Sequence, residues 1–95
     1  MAAYLIANVN VKDPVAYQEY LKAVPASIAQ YGGKYLARGG RHETLEGDWK
    51  PTRLVILEFP SMEQLKRWYE SEDYRPIQAI RLKHASADLV VVEGV

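Results

Sequence analysis

The chain begins with a segment whose side chains alternate between two faces. Residues 3 to 11 place Leu5, Ala7, Val9 and Val11 on one face and Tyr4, Ile6, Asn8 and Asn10 on the other. Alternation with a period of two, combined with β-branched residues, is typical of a β-strand. The pattern therefore predicts a first strand over residues 3 to 11.

A helical period follows directly after Asp13 and Pro14. Asp is a favoured N-cap residue, and Pro fits the first turn of a helix. The apolar positions then recur every three or four residues, at Tyr17, Tyr20, Leu21, Val24, Ile28 and Tyr31. This spacing predicts a helix over roughly residues 14 to 31 with a single apolar stripe. Pro25 lies inside it and is expected to kink it or to cost it a hydrogen bond.

The rest of the chain predicts three more strands and two more helices. The strands are KYLAR at residues 34 to 38, RLVILEF at 53 to 59 and ADLVVVE at 87 to 93. Ser61 has the position of a helix cap, with Gln64 three residues later, so the second helix is expected to begin there. A short third helix is predicted over roughly residues 74 to 84.

The element order β-α-β-β-α-β defines the predicted fold class. It is α+β and ferredoxin-like: a four-stranded antiparallel sheet with the helices on one face, in a single domain over residues 1 to 95. The third strand carries apolar side chains on both faces, with Leu54 and Ile56 on one and Val55, Leu57 and Phe59 on the other. A sheet with one face in water normally exposes polar residues there. We therefore expect a homodimer in which the two sheets pack face to face.

Composition and charge narrow the function classes. The chain has 12 basic and 12 acidic residues, and the basic ones are scattered, so we expect no nucleic-acid partner. With no cysteine, disulfides, thiolate metal sites and cysteine nucleophiles are excluded. No apolar run reaches membrane-spanning length and the N-terminus has no signal-peptide pattern, so we expect no membrane association and a cytoplasmic location.

Several segments together resemble a known protein family. YGGKYLARGG, LEGDWKPTRLVILEFPS and WYESEDYRPI resemble the family called domain of unknown function 1330, and the resemblance runs from Tyr4 to Gly94. That family belongs to the dimeric α+β barrel superfamily, so the resemblance implies this fold and a dimer. Its superfamily relatives include cofactor-independent monooxygenases, haem-degrading enzymes, muconolactone isomerases and dye-type peroxidases. One fold hosts many chemistries, so the resemblance leaves the activity undefined.

The comparison with haem-degrading relatives argues against haem. Asn8 and Trp68 are similar to an Asn on the first strand and a Trp on the second helix of those relatives. Their iron-binding His corresponds to Gln78 here, and glutamine is a poor axial ligand. A metal site is not expected either, because His42 and His84 are far apart on different elements. We expect no cofactor.

The stretch GGRHETLEGDWKPT at residues 39 to 52 joins the second and third strands. It lacks the lysine-serine ending of a phosphate loop and does not lead from a strand into a helix. One interpretation is a long hairpin connection with glycine turns. The other is a flap over a cavity mouth that brings His42, Glu46 and Trp49 near a ligand.

Polar residues that interrupt the apolar strands form a second candidate site. Asn8 and Glu58 would both face the uncovered side of the sheet, which becomes the barrel interior in the dimer. Glu58 either pairs with Arg38 or Arg53, or acts as a general base or substrate anchor with a pKa raised towards neutrality. Glu58, His42 and Asn8 are the candidate catalytic residues.

Aromatic residues and arginines form the candidate substrate-binding set. It consists of Tyr17, Arg38, Trp68, Tyr69, Tyr74 and Arg81. The aromatic side chains either build the core or line an apolar pocket with a few polar tips. Arg81 would anchor an anion if it points inward and would be a surface residue otherwise.

Two function classes follow from these observations. The first is a small-molecule-binding enzyme of the cofactor-independent monooxygenase or isomerase type, with a compact organic substrate between the sheet and the helices. The second is a non-catalytic dimeric binding or interaction module, in which the same polar residues only satisfy one another. An enzyme should have a formed cavity faced by a titratable group that no protein residue pairs.

Overall fold

Four strands and three helices follow one another in the computed structural model, which describes residues 1 to 95. They are β1 (Ala3–Val11), α1 (Pro14–Gln30), β2 (Lys34–Arg38), β3 (Leu54–Phe59), α2 (Met62–Tyr69), α3 (Arg75–His84) and β4 (Ala85–Glu93). The strands form one antiparallel sheet in the order β2-β3-β1-β4. The predicted ferredoxin-like α+β fold is confirmed, and β4 begins two residues earlier than the sequence pattern indicated.

The first two helices begin where the sequence placed their caps, whereas α3 begins after Tyr74 without a side-chain cap. The carboxylate of Asp13 accepts a hydrogen bond from the backbone N–H of Ala16 at 3.1 Å, and Ser61 Oγ accepts one from the N–H of Gln64 at 3.1 Å. The side-chain amide of Gln64 donates to the carbonyl of Tyr31 at 2.9 Å instead of turning back to its own helix. It thereby ties the end of α1 to the start of α2.

The core lies between the sheet and the helices. The face of β1 that turns towards the helices is buried along its length, at Ala3, Leu5, Ala7 and Val9. Trp68 on α2 packs on Phe59 of β3 with ring centroids 5.4 Å apart, and its indole N–H donates to Ser27 Oγ at 3.1 Å. Because burying an indole N–H without a partner is costly, this hydrogen bond fixes how α2 meets α1.

A bulge in β2 changes which residues face the helices. Tyr35 pairs with Leu57 and Arg38 with Val55, with an irregularity between Tyr35 and Ala37. The extra residue, Leu36, shifts the alternation by one position. Tyr35 and Arg38 therefore share the helix-facing side, which strict alternation would not allow.

The other face of the sheet has no helix over it. Apolar side chains from three strands lie there, at Tyr4, Ile6, Leu54, Ile56, Val90 and Val92. Val90 is 59% exposed and Val92 is 48% exposed. We call this surface the open sheet face. Its apolar character agrees with the sequence pattern.

None of the three helices is both long and apolar enough to cross a membrane.

Candidate functional site

A cavity lies between the helix-facing side of the sheet and the helices. Its apolar wall comes mainly from β1, β3 and α1, and includes Ala7, Val9, Val24, Val55 and Leu57. The space open to the centre of a water molecule is about 50 Å³. Pockets for drug-sized ligands are larger, roughly 300–1,000 Å³. The cavity in this state therefore suits a compact ligand.

Buried hydroxyl groups meet at one end of the cavity. Tyr20 on α1 and Tyr74, which directly precedes α3, place their hydroxyl oxygens 2.8 Å apart. Arg81 on α3 donates from Nε to the hydroxyl of Tyr74 over a long 3.4 Å contact. Tyr74 is fully buried and its ring also lies 4.2 Å from that of Trp68. Two helices and one connecting turn thus converge on a single phenol.

Arg81 is buried without a carboxylate partner. It is 5% exposed, and its contact with Tyr74 is its only hydrogen bond. The two ion pairs of the molecule join Lys34 to Glu58 and Arg67 to Glu63, so neither reaches Arg81. Burying a charged group costs free energy unless a partner compensates it. The protein itself supplies no negative charge for this guanidinium.

Burial sets the protonation states around the cavity. It raises the pKa of Tyr17, of Tyr20 and of Tyr35, with nearby arginines opposing the shift in each case. Burial lowers the pKa of Arg81, but the hydrogen bond to Tyr74 and the neighbouring phenols outweigh this, and the net direction is upward. At neutral pH the phenols are therefore protonated and Arg81 is charged.

Two more arginines line the cavity from the sheet. The guanidinium of Arg38 lies 4.7 Å from the ring centroid of Tyr35, in cation–π geometry. Arg53 packs against Gly39, where a Cβ atom would lie 2.6 Å from Nη1 of Arg53. Gly39 also has a φ of +70°, which other residues adopt with strain. A larger residue at position 39 would therefore strain the backbone and displace the guanidinium of Arg53.

Five of the six sequence-predicted substrate-binding residues come together in this cavity. They are Tyr17, Arg38, Trp68, Tyr74 and Arg81. Tyr69 does not line it, although its ring packs against Tyr74 with centroids 5.9 Å apart. Tyr20, which follows Tyr17 by three residues on the same helical stripe and belongs to the same aromatic candidates, also lines the cavity. Sequence reasoning did not assign Tyr35 or Arg53 to the site.

The three sequence-predicted catalytic residues lie outside the cavity. Glu58, which is on the open sheet face, pairs with Lys34 at 3.2 Å, and not with Arg38 or Arg53 as expected. The side-chain oxygen of Asn8 accepts from the backbone N–H groups of Thr52 at 2.8 Å and Arg53 at 3.2 Å. The structure does not test a catalytic role for either, and it stays a prediction.

The connection of residues 39 to 53 has no regular secondary structure. His42 in this connection is exposed, and its Nε2 lies 2.8 Å from the carbonyl of Pro51. Thr44 Oγ1 donates to the carbonyl of Trp49 at 2.6 Å. Trp49 lines a shallow hollow with Ile6, Asn8 and Val90 on the open sheet face. The connection therefore reaches towards that face, and His42 keeps its predicted catalytic role untested.

The residues expected for a metal site or a haem site do not lie together in the structure. No three His, Cys, Asp or Glu residues are grouped so as to hold a metal ion. Trp68 lines the cavity, whereas Asn8 points to the open sheet face. The two residues that are similar to an Asn and a Trp of haem-degrading relatives therefore do not line one site within a protomer. Gln78 on α3 is not among the residues that line the cavity.

The fold and the cavity define a ferredoxin-like α+β protein with a cationic, phenol-lined cavity. Residues 2 to 95 match the model of the family described as domain of unknown function (DUF1330), and the chain belongs to that family. The resemblance seen in the sequence is thereby confirmed. A search of curated proteins gave no match.

Solved structures with similar folds cover nearly the whole chain. RPA0582 from Rhodopseudomonas palustris, a protein of unknown function, is 18% identical with a TM-score of 0.78, over 99% of this chain and 82% of that one. A dimeric ferredoxin-like protein of unknown function from Jannaschia sp. CCS1 is 8% identical with a TM-score of 0.72. The match covers 99% of this chain and 100% of that one. SnoaB, a cofactor-independent oxygenase from Streptomyces nogalater, is 9% identical with a TM-score of 0.68. The match covers 99% of this chain and 93% of that one. At these identities the comparisons show the fold alone.

Proposed function

We propose that this protein is a small-molecule-binding enzyme of the cofactor-independent monooxygenase or isomerase type, with the cavity as its active site. The observation that carries the proposal is the convergence of Arg81, Tyr74 and Tyr20 at one end of a cavity that is otherwise apolar. A few convergent polar groups in an apolar cavity are typical of substrate sites. The oxygenase activity of a protein with a similar fold supports the reaction class.

The groups in the cavity favour chemistry on an acidic C–H or O–H bond. No carboxylate or imidazole lines the cavity, so its tyrosines are the residues that can relay a proton. The substrate proton would pass through the tyrosine hydroxyls to solvent water, and Arg81 would stabilise the enolate or phenolate that remains. In an isomerisation the proton returns to another carbon. In an oxygenation the anion adds O₂ to form a hydroperoxide, which loses water and leaves a C=O group, so the substrate supplies both hydrogens of the water and no outside reductant is needed.

The proposal includes a homodimer built through the open sheet face. The apolar side chains of this face are exposed in one protomer, and a second copy would bury them. The dimeric state of a protein with a similar fold supports this assembly. Such a dimer encloses Glu58 and Asn8 in the barrel interior, which is where their predicted catalytic role, with His42, would apply.

A non-catalytic dimeric binding module is the second candidate. It is favoured by the pairing of the polar groups outside the cavity, since Glu58, Asn8 and His42 all have protein partners. In that case the cavity binds a ligand without changing it. The two candidates differ in whether a bound molecule is consumed.

A turnover screen with matched variants tests the proposal. Quinols, phenols and β-keto acids are incubated with the protein in air, and O₂ uptake and product masses are measured. We expect turnover that Arg81→Gln and Tyr74→Phe abolish and that Arg75→Gln, a change at an exposed arginine of the same helix, leaves intact. Loss in Glu58→Gln alone would move the active site to the open sheet face. Binding without turnover by any compound would favour the module.

A further inference from the structure

The cavity carries an excess of positive charge. Arg38, Arg53 and Arg81 are among its 17 lining residues, and no Asp or Glu is. The net charge of the chain is zero, so this excess is local. We infer that the cavity takes a compact organic acid in its carboxylate form, with the carboxylate on Arg81. This inference rests on the proposed function in one respect: both take the cavity as the ligand site.

The strongest support is the buried guanidinium of Arg81. The residue is only 5% exposed, so its charge is partly desolvated, and no carboxylate lies within ion-pair distance to compensate that charge. A ligand carboxylate would compensate this charge through two parallel N–H···O bonds, the geometry that a guanidinium favours. The free protein is therefore arranged for a negative group that it does not itself contain.

The donors of Arg81 are available to such a ligand. Every side-chain nitrogen or oxygen that is fully enclosed in the protein has a hydrogen-bond partner. Arg81 uses only Nε in its contact with Tyr74, so its two Nη atoms must border accessible space. The hydroxyls of Tyr20 and Tyr74 lie beside this guanidinium, and whichever of the two accepts in their mutual hydrogen bond keeps its own O–H free to donate to the same carboxylate.

The rest of the cavity defines the body of the ligand. Fourteen of the lining residues are hydrophobic, and among them are the ring of Trp68 and the side chains of Leu5 and Val24. These walls offer few partners for further polar groups. The small volume of the cavity favours a short ligand body. The ligand is thus a short apolar or aromatic body with a single carboxylate.

Arg38 and Arg53 would select for negative charge on the sheet side of the cavity. Arg38 is exposed and Arg53 is half-buried, so both are accessible from solvent. Charges of one sign at a concave, low-dielectric site attract oppositely charged ligands and raise the association rate. Gly39 leaves room for the guanidinium of Arg53, because a Cβ atom at position 39 would displace it.

Binding by matched pairs of compounds tests this inference. Benzoate, phenylacetate and hexanoate are titrated into the isotopically labelled protein and compared with the corresponding neutral amides, using backbone amide chemical shifts. We expect the carboxylates to bind at least about tenfold more tightly, with the largest shifts at residues on α3 and near Tyr20. The comparison uses the wild-type protein, so it does not depend on whether a variant folds.

Variants then locate the carboxylate. Arg81→Gln should weaken carboxylate binding by about tenfold to a hundredfold and leave the amides unchanged, whereas Arg75→Gln should change neither. Equal binding of carboxylates and amides in the cavity would overturn the inference and leave the proposed active site standing. Binding of neither kind would overturn both, and so would shifts confined to the open sheet face.

Discussion

At the scale of single residues, Tyr74 holds together the polar end of the cavity. Its hydroxyl is shared by Tyr20 and Arg81, and the residue is fully buried. Replacing it with Phe leaves a buried hydroxyl and a buried guanidinium without their common partner. Removing the hydroxyl of Tyr20 leaves Tyr74 with Arg81 and so disturbs less.

This asymmetry predicts a difference in stability. Tyr74→Phe should lower the free energy of unfolding by about 1–3 kcal/mol and Tyr20→Phe by about 0.5–1.5 kcal/mol. Urea unfolding followed by far-ultraviolet circular dichroism measures both. Tyr69→Phe is the matched control, because the hydroxyl of Tyr69 makes no hydrogen bond within the protein. Equal losses in all three variants would mean that the shared hydroxyl has no special role.

At the scale of elements, the bulge in β2 shows what sequence periodicity cannot reveal. The alternation of β1 and the helical spacing of α1 predicted their bounds to within a residue, because each pattern is local, whereas the alternation did not settle which face of β1 is buried. The face taken by Arg38 depends on Leu36, an extra residue defined only by pairing with β3. One interpretation of the sequence paired Arg38 with Glu58, and the structure places Arg38 in the cavity.

The connection between β2 and β3 is anchored to the sheet by Asn8, which leads to a second prediction. Asn8→Ala removes the acceptor for two backbone N–H groups at the end of this connection. We expect a loss of about 0.5–1.5 kcal/mol in the free energy of unfolding and faster amide hydrogen exchange at residues 51 to 53. Asn10→Ala is the control, because Asn10 is an exposed neighbour on the same strand. Unchanged exchange in Asn8→Ala would contradict the anchoring role.

At the scale of the whole molecule, buried phenols make stability depend on alkaline pH. The pKa of Tyr20 is raised in the folded state, mainly by burial, from an unfolded value near 10. Below about pH 10 both states are protonated and the contribution of Tyr20 to stability is fully present. As the pH rises further, only the unfolded state loses its proton, and stability falls until the folded pKa is reached.

This linkage predicts a change of slope in Tyr20→Phe. Above about pH 10 the free energy of unfolding should fall as the pH rises. The slope of this fall should be about 1.4 kcal/mol per pH unit smaller in the variant than in the wild type. Urea unfolding at a series of alkaline pH values measures the slope. A wild-type slope in Tyr20→Phe would show that other groups govern alkaline unfolding.

The proposed dimer gives a prediction at the same scale. Val90→Lys places a charge in the open sheet face, where burial against a second copy would be costly, and the protomer tolerates it because Val90 is already 59% exposed. Sedimentation velocity should show monomers for this variant and dimers for the wild type. Val15→Lys, at an 83% exposed position on α1, should remain dimeric. A dimeric Val90→Lys protein would locate the interface elsewhere.

The position of Trp68 also gives the cavity an internal optical probe. Its indole lines the cavity and lies against Tyr74, whereas the other tryptophan, Trp49, is 61% exposed on the far side of the sheet. Indole fluorescence responds to the polarity and charge next to the ring, so a carboxylate that enters beside Trp68 changes its emission. In a Trp49→Phe protein that emission comes from the cavity alone. Occupancy can then be followed in unlabelled protein, at concentrations and on timescales that equilibrium titrations do not reach.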